Sequence, residues 1–168
     1  MVSVTSGLTV AEVRELVGAV VDPEIPVLTI ADLGILRSVD RDADGRIVVT
    51  ITPTYSGCPA MDVITADIRG TLAEHVAGYV EVRTVLAPAW TTDWMSEQGK
   101  RKLVEYGIAP PGSRPQAARG PVLLELSPRC PRCGSGRTRM VSRFGSTACK
   151  SIYSCQDCLE PFDHFKAI

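Results

Sequence analysis

The stretch Ile47-Val48-Val49-Thr50-Ile51-Thr52-Pro53-Thr54-Tyr55-Ser56-Gly57-Cys58-Pro59-Ala60 changes its character halfway along. Its first five residues are all β-branched, which suits a pleated strand, here placed over 46–52. A polar turn follows, and Pro59 suits the first turn of a helix because its missing N–H is not needed there. Met61, Ile64, Ile68, Leu72 and Val76 then recur at helical spacing and carry that helix to about residue 77. Cys58 thus sits on a strand-to-helix turn.

Working outward, residues 34–40 form a second β-rich run, and the intervening Asp40–Gly45 stretch, ending Asp44-Gly45, predicts a hairpin. Thr9 with Glu12 three residues on is a capping box for a helix over 10–21. Val10, Val13, Leu16, Val17, Val20 and Val21 make its apolar stripe, and Asp22-Pro23 ends it. Pro23–Leu33 reads as an ordered loop. Downstream, 79–87 alternate Val80, Val82, Thr84 and Leu86 as a third strand, and a basic helix is expected from about 95 to 106. The order α-β-β-α-β-α predicts an α+β layer with helices on a small sheet. Residues 109–121 hold four prolines, two glycines and no long apolar side chain. The expected organisation is therefore a domain at 1–108, a linker at 109–125 and a module at 126–168.

The net charge of −1 over 168 residues hides an asymmetry. Residues 1–125 carry 11 basic and 16 acidic groups, whereas 126–168 carry 7 basic and 3 acidic ones. Such a split points to units with different partners, or to units that attract each other. No apolar run reaches the roughly 18 residues of a membrane span, and no secretory signal opens the chain, so the cytoplasm is the expected compartment.

Cysteine is distributed just as unevenly. Cys130-Pro131-Arg132-Cys133 and Cys155-Gln156-Asp157-Cys158 are C-x2-C pairs 21 residues apart. Two such knuckles complete a tetrahedral thiolate shell, so one structural zinc per chain is expected, and a module this small needs the staple. Four thiolates also suit an iron centre of the rubredoxin kind. His164 could replace a ligand, although four cysteines already suffice. Cys149, inside Phe144-Gly145-Ser146-Thr147-Ala148-Cys149-Lys150, is either a small buried residue or a reactive thiol whose pKa Lys150 lowers. Cys58 has the same two readings: a packed thiol, or a thiolate favoured by the N–H groups and dipole of the helix start. Asp22 and Glu24 are candidate neighbours. His75, late in its helix, reads as a surface residue. No P-loop, dinucleotide fingerprint or triad accompanies these residues, and no catalytic constellation is visible.

Asp22-Pro-Glu-Ile-Pro-Val27, Ile30-Ala-Asp-Leu-Gly34, Thr52-Pro-Thr-Tyr-Ser-Gly-Cys-Pro-Ala60 and Pro88-Ala-Trp-Thr-Thr-Asp-Trp-Met95 together resemble the metal–sulfur cluster assembly factors. The tail, with its two knuckles and Phe144–Lys150, is similar to that of an accessory subunit of bacterial phenylacetyl-CoA epoxidase (ring 1,2-epoxidase) systems. That resemblance implies transient handling of iron or an iron–sulfur cluster at Cys58, with Asp22 and Glu24 as helpers. It also implies partners among the other epoxidase subunits, which carry a di-iron oxygenase and a flavin/iron–sulfur reductase, in aerobic phenylacetate degradation. Some relatives end with a further cysteine where this chain has Ala167, so no ligand is expected there.

Three functions follow. The first is an accessory factor that assembles or repairs a partner's iron or iron–sulfur centre, with the ribbon docking an acidic client; two copies pairing through Cys58 would fit it. The second is a stoichiometric, non-catalytic component of the working epoxidase, and in both the chain is a maturation factor or subunit of a multicomponent monooxygenase. The third is a nucleic-acid binder using Arg129, Arg132, Arg137, Arg139 and Arg143 with Phe144 and Tyr153. It ranks last, because the acidic first region repels phosphate.

Overall fold

The computed structural model describes residues 8–76, 78–112 and 127–168, so residues 113–125 of the expected linker lie outside the described residues. Contacts divide the chain into two units, 1–90 and 91–168.

The first unit opens with α1 (Val10–Gly18), whose capping box is formed: Glu12 N–H donates to Thr9 Oγ1 at 3.3 Å and Thr9 N–H to Glu12 Oε2 at 2.8 Å. The helix stops before Val20 and Val21, short of the expected residue 21. Those β-branched residues are drawn into extended pairing instead, with Val21 bridged to Thr29 and Val20 O accepting Ile30 N–H at 2.8 Å. Strands β1 (Leu36–Arg41) and β2 (Ile47–Ile51) pair antiparallel across a turn that Gly45 closes at φ 80°. Helix α2 (Ala60–Ala73) returns the chain to β3 (Glu81–Thr84), which pairs parallel with β2, Val49 opposite Val82. The sheet order is β1-β2-β3, and β2-α2-β3 is a βαβ crossover. Ile64, Ile68 and Leu72 turn one stripe of α2 fully into the core with Val13, Val17, Val49 and Ile51. Each such side chain contributes roughly 1.5–3 kcal/mol on burial. The expected single buried face of the third strand is limited to Val80, and Leu86 is exposed.

The second unit holds α3 (Glu97–Tyr106), capped by Ser96 and ended by Gly107 at φ 91°, and a four-stranded sheet in the order β4-β7-β6-β5. Its strands are β4 (Ile108–Ala109), β5 (Thr138–Ser142), β6 (Lys150–Cys155) and β7 (Pro161–Phe165). The ribbon's β5-β6-β7 meander is antiparallel, and β4 joins its edge parallel to β7. Ile108 and Ala109 therefore belong to the ribbon sheet, whereas the sequence reading drew its boundary after 108. A two-residue strand leaves no periodicity to read. Ala109, Cys130, Tyr153, Cys155 and Phe162 form the small core beside the knuckles. Among the described residues, no helix is long and apolar enough to cross a membrane.

Candidate metal centre and thiol loop

Two similar turns build the cysteine cluster. In the first, Gly134 N–H donates to Cys130 O at 2.8 Å and Cys130 N–H to Ser135 O at 2.8 Å, with Gly134 at φ 74°. In the second, Cys155 N–H donates to Glu160 O at 2.9 Å, and Leu159, one residue past the final cysteine, takes φ 63°. Leu159 thus fills the left-handed position that glycine fills in the first knuckle. The side chains of Ser135 and Asp157 hydrogen-bond across the pair.

The sulfurs of Cys130 and Cys158 lie 3.7 Å apart and those of Cys133 and Cys155 3.5 Å, all four within 4.8 Å of one another. A tetrahedron with Zn–S bonds near 2.3 Å has edges of about 3.8 Å, so the donor set and its spacing fit zinc. Cys130 and Cys155 are buried, Cys133 and Cys158 exposed. The N–H groups of Cys158 and Asp157 stabilise the Cys155 thiolate and bring its pKa down to about 6. Desolvation and the neighbouring sulfurs push Cys158 up to about 12 and Cys133 also upward, so the metal-free cluster holds thiolate at Cys155 and thiols beside it. A closed shell of four thiolates would leave no position for a reactant, so an ion held there would act as a staple.

His164 stands outside this group. Its Nδ1 lies 3.2 Å from Ser151 Oγ, and burial, then the Lys166 charge, bring its pKa down to about 4. Cys149 is buried, with Thr147 Oγ1 3.0 Å from its sulfur. The Lys150 ammonium, expected to act on that thiol, is turned toward Asp163 Oδ2 at 3.6 Å.

In the first unit, the structure brings Asp22 and Glu24 close enough for their charges to act on Cys58. The consequence is the reverse of the expected activation. Burial pushes the Cys58 thiol up, the two carboxylates add to the rise, and the Ala60 N–H and Tyr55 side chain oppose it without prevailing. The helix-start N–H is present as the sequence implies, but desolvation outweighs it. Cys58 is half-buried and a thiol at neutral pH; binding a metal would remove its proton.

The two carboxylates differ. Asp22 is buried, and its Oδ1 accepts the N–H groups of Glu24 at 2.8 Å and Ile25 at 2.7 Å, stapling the loop. Glu24 is partly exposed. Three features escaped the sequence reading. Asp32 is buried and exchanges hydrogen bonds with Thr29, 3.2 and 3.1 Å, and the Thr29-x-x-Asp32 spacing is its signal. Trp90 Nε1 donates to Leu33 O at 2.9 Å, tying the Pro88–Met95 motif to the Ile30–Gly34 motif. Thr52 Oγ1, fully buried before the Cys58 turn, has no hydrogen-bond partner among the described residues.

The surface assigned to nucleic acid is dismantled in part. Tyr153 is buried and stacks on Phe162, centroids 6.0 Å apart, while Arg132 and Arg137 face Glu160 and Asp157 at 4.0 and 3.2 Å.

Two family models match the chain: "Iron-sulfur cluster assembly protein" over residues 10–85 and "PaaD zinc beta ribbon domain" over 115–166. A Bacillus anthracis structure titled as a domain of unknown function, DUF59, superposes with a TM-score of 0.52 at 31% identity, covering 56% of this chain and 90% of that one. An Fe-S protein maturation auxiliary factor of Bacillus subtilis is 40% identical over 85 residues, 50% of this chain and 82% of that protein. Fold and site thus define a cluster-assembly-type α+β domain joined to a four-cysteine zinc ribbon. An Escherichia coli K12 protein named as a subunit of 1,2-phenylacetyl-CoA epoxidase is 47% identical over 159 residues, 95% of this chain and 93% of its own. The chain belongs to the family of that epoxidase subunit.

Proposed function

We propose that this chain is an accessory factor that helps install or repair an iron or iron–sulfur centre in a partner subunit of a phenylacetyl-CoA epoxidase system. One observation carries the reading: Cys58, a single half-buried thiol flanked by carboxylates, lies in the region matching the iron–sulfur cluster assembly family. Iron or a cluster is here the cargo. One protein thiolate leaves coordination positions open, so a client's ligands can compete for what it holds. Glu24, partly exposed, is the helper whose charge acts on Cys58, and Asp22 holds the loop. The ribbon zinc is structural, supplied by Cys130, Cys133, Cys155 and Cys158. None of the six cysteines is joined in a disulfide, which suits the reducing cytoplasm we propose as its compartment.

The test is the iron, sulfide and flavin content of the epoxidase subunits produced with this protein, without it, and with Cys58→Ala. Metal-poor subunits in the last two cases are expected; full loading with Cys58→Ala removes that thiol from the mechanism. A second reading, a non-catalytic component needed during turnover, is favoured by the Escherichia coli relative, whose name makes it a subunit of the epoxidase. Adding the chain to fully metallated oxygenase and reductase would then raise turnover, and an unchanged rate argues against it.

A further inference from the structure

The segment Arg143–Lys150 has no task in the metal centre, yet it is tightly built. Lys150 is almost fully buried and paired with Asp163, and Cys149 is buried beside it. Gly145 N–H donates to Lys150 O at 2.9 Å. A side chain at 145 would meet Lys150 Cβ at 3.1 Å and Asp163 Oδ1 at 3.3 Å, so glycine lets the loop close onto the sheet. These groups anchor the base of the loop.

Its tip is fixed outward. Phe144 is 64% exposed, although Ser142 Oγ donates to its carbonyl at 2.8 Å and accepts its N–H at 3.2 Å. Lys166 Nζ sits 4.5 Å above the ring and donates to Arg143 O at 3.1 Å. An exposed aromatic normally loses rotamer freedom when a partner covers it; here that freedom is already restricted. Apolar Met140 and Val141 on β5, the outer strand of the sheet, are exposed as well. Arg139, Arg143 and Lys166 have no carboxylate partner among the described residues, in a tail with 7 basic and 3 acidic groups.

We propose that the Phe144 tip is a docking anchor that enters an apolar pocket rimmed by carboxylates on a partner protein. Charge complementarity selects that occupant. In a symmetric pairing of two copies through this tip, Arg143 and Lys166 would face the same cations of the second copy, which is repulsive. A nucleic-acid strand needs successive aromatic platforms, and the ribbon's other aromatics, Tyr153, Phe162 and Phe165, are buried. The proposal rests on the functional reading above only for the partner's identity, an epoxidase subunit.

The experiment is calorimetric titration of the full-length zinc-loaded chain into each purified epoxidase subunit, at low and high salt. Wild type, Phe144→Ala, Arg143→Glu and Cys58→Ala are compared, with zinc content and circular dichroism as folding controls. The expected result is about tenfold or greater weakening for Phe144→Ala, as for a truncated interface anchor. Arg143→Glu should weaken binding and flatten its salt dependence, and Cys58→Ala should bind as wild type. Equal affinity of Phe144→Ala and wild type overturns the proposal, as does failure of wild type to bind any subunit. Phe144-dependent self-association, or tighter binding to a single-stranded oligonucleotide than to any subunit, overturns it too. Phe144-dependent binding to subunits already fully metallated without this chain keeps the anchor and discards the loading function.

Discussion

The second knuckle places a leucine where the first uses glycine, and this difference has a calculable effect. Leu159 at φ 63° carries the steric cost of the left-handed region, about 1–2 kcal/mol for a residue with a Cβ. Its side chain is 77% exposed, so replacing it forfeits little burial. Leu159→Gly removes the steric term and returns about 0.5–1 kcal/mol through the greater freedom of the unfolded chain. The net gain is roughly 0.5–1 kcal/mol. Gly134 offers the converse: φ 74° with nothing within 4 Å of a built Cβ, so Gly134→Leu has the opposite sign with no clash to confuse it. Ribbon folding and zinc binding are linked, so the effect appears as zinc affinity. At about 1.4 kcal/mol per tenfold, zinc competition against a chromophoric chelator should show Leu159→Gly binding about two- to fivefold tighter. Gly134→Leu should bind weaker by a similar factor, and the double variant should lie near wild type. Weaker zinc binding by Leu159→Gly would refute this reasoning and mean that the leucyl side chain, not its backbone, matters.

Glu24→Gln removes a charge that raises the Cys58 pKa, so iodoacetamide should alkylate Cys58 faster at pH 8, by about twofold for a charge acting from a partly exposed site. An unchanged rate would put Glu24 out of electrostatic reach. Asp22→Ala leaves two loop N–H groups without their carboxylate and should lower stability by roughly 2 kcal/mol in urea unfolding, whereas Asp22→Asn, which retains an acceptor, should lose less. The folded pKa of His164, about 4, lies below its ordinary value of 6.5. Its neutral form is the one the fold favours, so its contribution is complete above pH 6.5 and is lost as pH falls toward 4. A histidine ring-proton titration should find that midpoint near 4, and Lys166→Met should raise it. Ile68→Ala in α2 should cost about 2–5 kcal/mol by thermal or urea unfolding, since the side chain is fully buried.

Local signals read well because local physics decides them. Thr9 and Glu12 form their box, Asp44-Gly45 makes its turn, and the α2 stripe is set by the recurrence of Ile64, Ile68 and Leu72. The two C-x2-C pairs gave the four-sulfur cluster for the same reason, each pair being a turn of fixed geometry. Pairing partners were not legible: β3 lies parallel to β2, and β4 joins β7 across more than 50 residues of chain, neither of which any local pattern announces. The Cys58 turn shows where the boundary falls. Its helix-start N–H was readable from Gly57-Cys58-Pro59, but the burial and carboxylates that outweigh it come from tertiary packing. Tyr153 likewise looked like an available aromatic until its strand placed it on Phe162.

The cysteine shell is open on one side only. Cys133 and Cys158 face solvent, whereas Cys130 and Cys155 lie in the ribbon core. Chelators, competing thiols and oxidants therefore approach through the exposed pair, one sulfur from each knuckle. Capture of either would remove one of the four ligands, while the inner sulfurs of Cys130 and Cys155, again one from each knuckle, would still bridge the two turns. Loss of a bound ion would therefore begin at the outer pair, with Cys130 and Cys155 beside the small apolar core the last sulfurs to be reached. Oxidation would follow the same geography, joining Cys133 to Cys158 and leaving a crosslinked, metal-poor ribbon that reductant can return to its starting state.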